Sequence, residues 1–193
     1  MEQIPIFALG TVLFPGGELS LRVFETRYVD MVRECMRAGE AFGVACIREG
    51  SEVGQAPRVH DVATTARISD FDLLDDGLLG ITADGERRFR ILETQVEPNQ
   101  LIRATRVEWL EPDFAADVPG QFAHLTTVVE KIYETLQRDV PPGATTDAGW
   151  VANRIAEVLP VPQGRKQQLM ELDDPITRLS EVDEIVQRLA EQQ

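Results

Sequence analysis

Two cysteines and two histidines are the side chains best suited to catalysis: Cys35, Cys46, His60 and His124. A thiolate nucleophile needs a nearby imidazole to lower its pKa, and Cys46 with His60 could meet that need. We interpret Cys46 as part of a buried strand and His60 as a loop residue that never meets it. No His-Glu-x-x-His or Cys-x-x-Cys spacing occurs, so we expect no catalytic residue, no metal and no cofactor.

Acidic side chains cluster at Asp70, Asp72, Asp75 and Asp76. Such a group could hold a hard cation, but Asp75-Asp76-Gly77 is also a strong hairpin-turn signal. We favour the turn and a solvated acidic loop.

A basic cluster with an internal aromatic, Arg87-Arg88-Phe89-Arg90, could stack nucleic-acid bases. On a strand, however, Phe89 would face the core while Arg88 and Arg90 face solvent. The formal net charge of −14 offers no positive field to a polyanion, which disfavours nucleic acid and anionic membranes as partners. RNA binding stays an alternative.

The N-terminal elements are specified most clearly. Pro15-Gly16-Gly17 predicts a tight turn, and strict alternation from Leu19 to Phe24 predicts a half-buried strand. Apolar residues at helical spacing predict a helix from Thr26 to Ala38, with Gly39 as its left-handed cap. At the corner between strand and helix, Glu25 and Arg27 could mark a ligand site or could fix the backbone. We favour the structural role, shared with Pro15, Gly16 and Tyr28.

The rest of the first 111 residues is predicted to be mostly β. Strands are expected at Phe42–Ile47, Val62–Leu74, Leu78–Thr82, Arg87–Glu97 and Leu101–Leu110, with a turn at Ala83-Asp84-Gly85 between the third and fourth. At about residue 112 the apolar period changes from two to about 3.6. Helices are then predicted from about Pro119 to Arg138, from Trp150 to Leu159, from Gln163 to Leu172, and after Asp174 as an N-cap.

Four apolar residues lie at turns or beside loops: Phe14, Phe71, Leu74 and Phe114. They could be partly buried, or they could form an exposed patch that binds unfolded polypeptide. We take them as the candidate peptide-binding residues.

Three blocks resemble the LON substrate-binding domain, the N-terminal domain of ATP-dependent Lon proteases. Ile4 to Tyr28 is similar to the family's opening block, with Ala8 where the family usually has Pro, and Gly85 to Ile91 is similar to its G-x-R-R-F-R strand. The third block runs from Val151 through Pro160 to Leu179. The resemblance implies an α+β fold: a PUA-like six-stranded β pseudobarrel with one helix (residues 1–111), followed by a C-terminal helical bundle (residues 112–193).

The resemblance implies a non-enzymatic module that binds unfolded or partner polypeptides, in protein quality control or partner docking. The sequence contains no G-x-x-x-x-G-K-[ST] phosphate loop and no region matching the Ser-Lys protease domain, so we expect a standalone bacterial protein. Without a signal peptide or a membrane span, we expect it to be cytoplasmic. The oligomeric state stays open. An RNA-binding PUA-like module and a small hydrolase are the alternatives.

Overall fold

The structure, a computed structural model, describes residues 3–191, which form seven β-strands and five α-helices. The chain divides into two compact units, Met1–Leu110 and Glu111–Gln193. The strands are β1 (Ile4–Leu9), β2 (Glu18–Val23), β3 (Phe42–Glu49), β4 (Arg58–Val59), β5 (Val62–Leu73), β6 (Leu79–Val96) and β7 (Ile102–Trp109). The helices are α1 (Thr26–Ala38), α2 (Ala123–Thr135), α3 (Ala148–Val158), α4 (Gln163–Glu171) and α5 (Pro175–Ala190). A mixed α/β fold is therefore confirmed.

Strand pairing in the first unit follows a closed circuit. Strand β1 lies parallel to β3 and antiparallel to β7, and the antiparallel pairs β7–β6, β6–β5 and β5–β3 complete the circuit. Strand β4 pairs with β3, and β2 pairs with β6. Apart from β1–β3, each pair is antiparallel.

Strand β6 is 18 residues long and has two different neighbours along one edge. Its first part, Leu79–Asp84, pairs with β2, and its later part, Phe89–Val96, pairs with β7, while β5 follows the opposite edge. The predicted turn at Ala83-Asp84-Gly85 is therefore wrong, because the chain continues through these residues as one strand.

Gly85 serves close packing instead of a turn. Its N–H donates to the Gly17 carbonyl and its carbonyl accepts from the Gly16 N–H, each at 2.8 Å. A Cβ at position 85 would lie 2.5 Å from the Phe14 carbonyl oxygen. The actual turn is at Pro15-Gly16-Gly17, where Gly16 has φ +70° and the Gly17 N–H donates to the Phe14 carbonyl at 3.0 Å.

The helix of the first unit has the predicted bounds, Thr26–Ala38, and ends at Gly39 with φ 68°. Its apolar face packs on the sheet, where the Phe7 and Tyr28 rings stack with centroids 4.0 Å apart. The spacing of apolar residues at three and four positions is sufficient to set this orientation.

The prediction for the basic cluster is half right. Phe89 is buried, as expected, but Arg88 is only 3% exposed, so its predicted solvent position is wrong. Arg88 pairs in the sheet with Thr64, which is itself buried and donates its hydroxyl to the Leu13 carbonyl at 2.6 Å. The segment at Leu13 therefore contacts the sheet face that Thr64 and Arg88 share.

The second unit contains α2 to α5. Asp174 is the N-cap of α5, as predicted, and accepts hydrogen bonds from the N–H groups of Ile176 and Thr177. Helix α2 is shorter than predicted and is preceded by a 3₁₀ turn at Gly120–Phe122. Within residues 3–191 no helix combines the length and the apolar character that crossing a bilayer requires.

Candidate peptide-binding surface

The four apolar candidates have different environments. Phe14 is fully buried, so its assignment to an exposed patch is wrong: the segment before the Pro-Gly-Gly turn packs against β6 at Gly85. Phe71 is 59% exposed and Leu74 is half-buried, and both line a cavity of about 170 Å³ on the β2–β6–β5 sheet. Phe114 is 58% exposed and belongs to the helical unit.

One face of the β2–β6–β5 sheet changes from buried to exposed across the strands. In two adjacent rows, Leu21 pairs with Ile81 and Ile81 with Phe71, while Val23 pairs with Leu79 and Leu79 with Leu73. Residues that pair directly share a face of the sheet. Val23 and Ile81 are 2% and 3% exposed, whereas Phe71 and Leu73 on β5 are 59% and 72% exposed. The apolar face that forms the core at β2 and β6 therefore continues onto solvent-exposed residues of β5.

Leu73 was not predicted as a surface residue. The bulge between Ile68 and Asp70 shifts the register of β5, which obscures its alternation in the sequence. After the bulge, Phe71 and Leu73 alternate with Asp70 and Asp72, and this short period-two segment was the available signal.

A second groove, of about 260 Å³, lies between the C-terminal end of α1 and β5. Its apolar lining includes Met36, Ile68 and Phe71, and its polar lining includes Glu40 and Arg67. The Arg67 side chain donates to the Gly39 carbonyl at 2.8 Å and to Glu86 at 2.7 Å. Phe71 thus borders both this groove and the cavity beside Leu74.

The outer edge of β5 is open over its second half. Strand β3 pairs with β5 at Thr64–Ala66, and among residues 3–191 no strand pairs with that edge beyond Ala66. The Leu74 N–H donates to the Leu78 carbonyl at 2.9 Å, toward the returning strand. Because N–H directions alternate along a strand, the N–H groups of Phe71 and Leu73 point outward.

Two carboxylates cover these outward donors. Asp70 Oδ1 accepts from the Phe71 N–H at 2.9 Å, and Asp72 Oδ1 accepts from the Leu73 N–H at 2.7 Å. Each bond is local, between neighbouring residues. The two outward N–H groups are therefore satisfied without pairing to another strand.

The other two aspartates belong to the hairpin that follows β5. Asp76 accepts a hydrogen bond from the Leu78 N–H at 3.1 Å and forms an ion pair with Arg22. The hydrogen bond from Leu78 contributes most to holding the pKa of Asp76 below its ordinary value, and Arg22 lowers it further. Gly77 has φ 80°, as a hairpin turn requires. Among residues 3–191 no three His, Cys, Asp or Glu side chains form a group that could hold a metal ion.

The corner residues form a buried polar network. The Arg27 guanidinium donates to the Gln100 carbonyl at 2.8 Å and to the Glu52 carbonyl at 2.9 Å, pairs with Glu25 at 3.1 Å, and lies over the Tyr28 ring. Burial raises the pKa of Tyr28. These contacts join the start of α1 to the loop after β3 and to the β6–β7 turn.

The thiols are not activated for nucleophilic attack. Burial, with Glu40 and Glu34 nearby, raises the pKa of Cys35 to about 11, and burial also raises the pKa of Cys46. The expectation that Cys46 and His60 never meet is wrong for the backbone, since the His60 N–H donates to the Cys46 carbonyl at 2.9 Å. A neutral thiol is a poor nucleophile.

His124 is the histidine that contacts a carboxylate. Its Nε2 lies 2.7 Å from Asp183 Oδ1, and Asp183 also accepts from the Gln187 side chain at 2.8 Å. This contact links the start of α2 to α5. Neither His124 nor Asp183 lines the cavities described above, so this pair does not support the small-hydrolase alternative.

The basic cluster has structural contacts. Arg87 lies over the Trp109 ring at 4.7 Å, Phe89 is in the core, and Arg90 pairs with Glu108 at 3.6 Å. An arginine-flanked aromatic that is buried cannot stack a base. The RNA-binding alternative thus loses the feature that prompted it.

The first unit combines a mixed α/β fold with an apolar sheet face that reaches solvent and a strand edge that is open beyond Ala66 among the described residues. The sequence matches the ATP-dependent protease La (LON) substrate-binding domain over residues 3–188, and the chain therefore belongs to that family.

Relatives and solved structures are similar over nearly the whole chain. Lon protease from Anaeromyxobacter dehalogenans is 28% identical over 97% of this chain, and Lon protease 2 from Myxococcus xanthus is 27% identical over 98% of it. The chain spans about a quarter of the length of these relatives, 23% and 24% respectively. The crystal structure of a Lon N-terminal domain protein from Xanthomonas campestris has a TM-score of 0.77 and 36% identity, covering 94% of this chain and 97% of that one. The N-terminal domain of the Mycobacterium avium complex Lon protease shares the fold, with a TM-score of 0.64 at 18% identity over 95% of this chain and 97% of that one.

Proposed function

We infer that the chain is a non-enzymatic recognition domain that binds exposed apolar segments of unfolded or partner polypeptides. The observation that carries this proposal is the β2–β6–β5 face, whose residues change from buried at Val23 and Ile81 to exposed at Phe71 and Leu73. An apolar sheet face that extends past its own core is a surface on which another apolar segment can be buried. Family membership supports the same role, because the family is described as substrate-binding.

The expected affinity is modest. Burying one large apolar side chain contributes about 1.5–3 kcal/mol, and association itself costs several kcal/mol. Phe71, Leu73 and the half-buried Leu74 are therefore expected to support micromolar or weaker binding unless the backbone edge contributes. Weak binding suits a domain that must release many different clients.

The proposal also covers the architecture of the two units, the cellular role and the part played by Phe114. The closed strand circuit is the PUA-like pseudobarrel, and the four later helices are the helical bundle. The domain works in the cytoplasm, in quality control or partner docking. Phe114, 58% exposed, is a second contact for clients.

The test is binding to a permanently unfolded protein, reduced and carboxymethylated α-lactalbumin, measured by fluorescence anisotropy. Phe71→Ser with Leu73→Ser is expected to weaken binding at least tenfold. The matched control is Leu136→Ser with Val158→Ser in the helical unit, where the side chains are 53% and 48% exposed. No binding by the native protein, or equal loss in both double variants, would rule out this surface.

A further inference from the structure

We propose that the open edge of β5 selects extended polypeptide segments in which apolar and cationic side chains alternate. This rests on the proposed function, and it names the class of segment that the surface takes. The residues that carry it are Phe71 and Leu73 on one face and Asp70 and Asp72 on the other.

The edge can accept another strand. The N–H and carbonyl groups of Phe71 and Leu73 point away from β6, and no described strand occupies that side beyond Ala66. An incoming strand would form the main-chain ladder that is found when peptides add to a sheet edge. It would lie toward the groove lined by Met36 and Ile68, which can hold an apolar side chain beside Phe71.

Alternation in the segment follows from alternation in β5. Side chains of paired strands lie beside each other on the same face. Positions beside Phe71 and Leu73 would therefore meet exposed apolar surface, and positions beside Asp70 and Asp72 would meet carboxylates. A segment that repeats apolar and cationic residues matches both faces at once.

The carboxylates also regulate access to the edge. The Phe71 and Leu73 donors are held by Asp70 and Asp72 at 2.9 Å and 2.7 Å, so an incoming carbonyl must displace a carboxylate. A neutral strand would displace the carboxylate from its backbone N–H and offer no opposite charge in return. A cationic side chain of the segment pairs with the released carboxylate, so it lowers the cost of opening the edge.

The surrounding charge favours the same partner. Asp75 lies in the hairpin turn after β5. The basic residues of β2 and β5 are already paired, Arg22 with Asp76 and Arg67 with Glu86. The formal net charge of −14 adds attraction for cationic segments at low salt.

The experiment compares three labelled ten-residue peptides by fluorescence anisotropy: alternating Lys and Val, five Lys followed by five Val, and alternating Glu and Val. The alternating Lys–Val peptide is expected to bind at least tenfold more tightly than either of the others. Two further versions of this peptide carry N-methyl groups at the odd or at the even residues. One of the two is expected to lose the advantage, because only one alternate set of N–H groups faces β5. In hydrogen exchange, the amides of Phe71 and Leu73 are expected to slow when the peptide is bound.

The protein variants separate charge from shape. Asp70→Asn with Asp72→Asn keeps a side-chain oxygen to accept the two N–H groups but removes the charge, and it is expected to weaken binding of the alternating Lys–Val peptide at least tenfold. Glu130→Gln with Glu134→Gln makes the same charge change on an exposed helix and is expected to change binding less than twofold.

Equal binding of the alternating and block peptides, or no effect of the Asp70 and Asp72 substitutions, would overturn the inference. If unfolded α-lactalbumin still binds in that case, the proposed function stands and only the selectivity is wrong. If neither peptide nor unfolded protein binds, both proposals fail.

Discussion

Gly85 of the long strand β6 lies directly against the carbonyl oxygen of Phe14, so that a Cβ at position 85 would come within 2.5 Å of that oxygen. Two hydrogen bonds of 2.8 Å between Gly85 and the Gly16–Gly17 turn hold the two backbones together. The turn of the opening block and the middle of β6 therefore form one packing unit. It buries Phe14 and places β2 beside the first part of β6.

Replacing Gly85 with Ala is expected to destabilise the protein by about 1–3 kcal/mol, because the added methyl group meets backbone and cannot be accommodated by a side-chain rotation. Urea unfolding monitored by circular dichroism measures the change. Gly164→Ala is the control, since a Cβ there has open space and the residue lies in helix α4. A loss of stability at Gly85 no larger than that at Gly164 would contradict the close approach.

Replacing Arg27 with Lys is expected to lower the free energy of unfolding by about 1.5–3 kcal/mol. A single ammonium group cannot reach the Gln100 and Glu52 carbonyls and Glu25 together, whereas the guanidinium does so from a site only 4% exposed. Arg33→Lys is the control, because Arg33 is exposed and pairs with Asp30 on the helix surface. Equal unfolding midpoints for the two variants would show that the network contributes little.

Replacing Asp113 with Asn is expected to cost about 3–5 kcal/mol in the helical unit. The Asp113 carboxylate accepts hydrogen bonds from both terminal nitrogens of Arg178. The Arg178 side chain is only 1% exposed, and its Nε also donates to the Leu169 carbonyl at 3.0 Å. Glu181→Gln breaks the more exposed pair with Arg165 and is expected to cost less than about 1 kcal/mol. Thermal unfolding of both variants tests the difference, and a reversed order would refute it.

The carboxyl group of Glu157 is expected to make stability depend on pH near neutrality. Burial raises its pKa to about 7 from an ordinary value of 4.5, although Arg154, Lys166 and Arg138 pull it down. The folded protein thus keeps a proton that the unfolded chain releases, and the free energy of unfolding falls as pH rises from about 4.5 to 7.

Glu157→Gln is expected to remove that fall, so that between pH 4.5 and pH 8 its free energy of unfolding declines by on the order of 2–3 kcal/mol less than that of the native protein. Urea unfolding at pH 4.5, 6, 7 and 8 gives the profile. Glu184→Gln, an exposed position on α5, should leave the profile unchanged. Parallel profiles for the native protein and the Glu157 variant would disprove the shift.

Local signals in the sequence predict the helical elements well. The bounds of α1 follow from apolar spacing and Gly39, and the start of α5 follows from Asp174. Each of these features is decided within one or two turns of the chain. The resemblance of the opening block to the LON domain is likewise carried by contiguous residues, and the family match confirms it.

Features that depend on distant neighbours could not be predicted. Gly85 looks like a turn residue because its role depends on Phe14, some 70 positions away. Arg88 is buried on the sheet face where its partner Thr64 donates to the Leu13 carbonyl, which is similarly distant in the chain. The candidate surface is affected in the same way. Phe71 is identified from its own position and Leu73 has only a short alternating signal, whereas the open edge becomes visible only when β3 is seen to leave β5 after Ala66.

Strand β1 has a consequence for synthesis of the protein. All six of its residues, IPIFAL, are buried, and they pair with β3 and with β7, where Ile4 lies beside Ala104. The ribosome adds about 5–20 residues per second, so about 5–20 s separate the appearance of these two partners. During that interval each nascent copy displays an apolar segment that fits the proposed function, although it lacks the alternating cations that the edge of β5 is proposed to select. Yield is therefore expected to depend on translation speed and copy number, and nascent molecules are expected to be among the clients of finished ones.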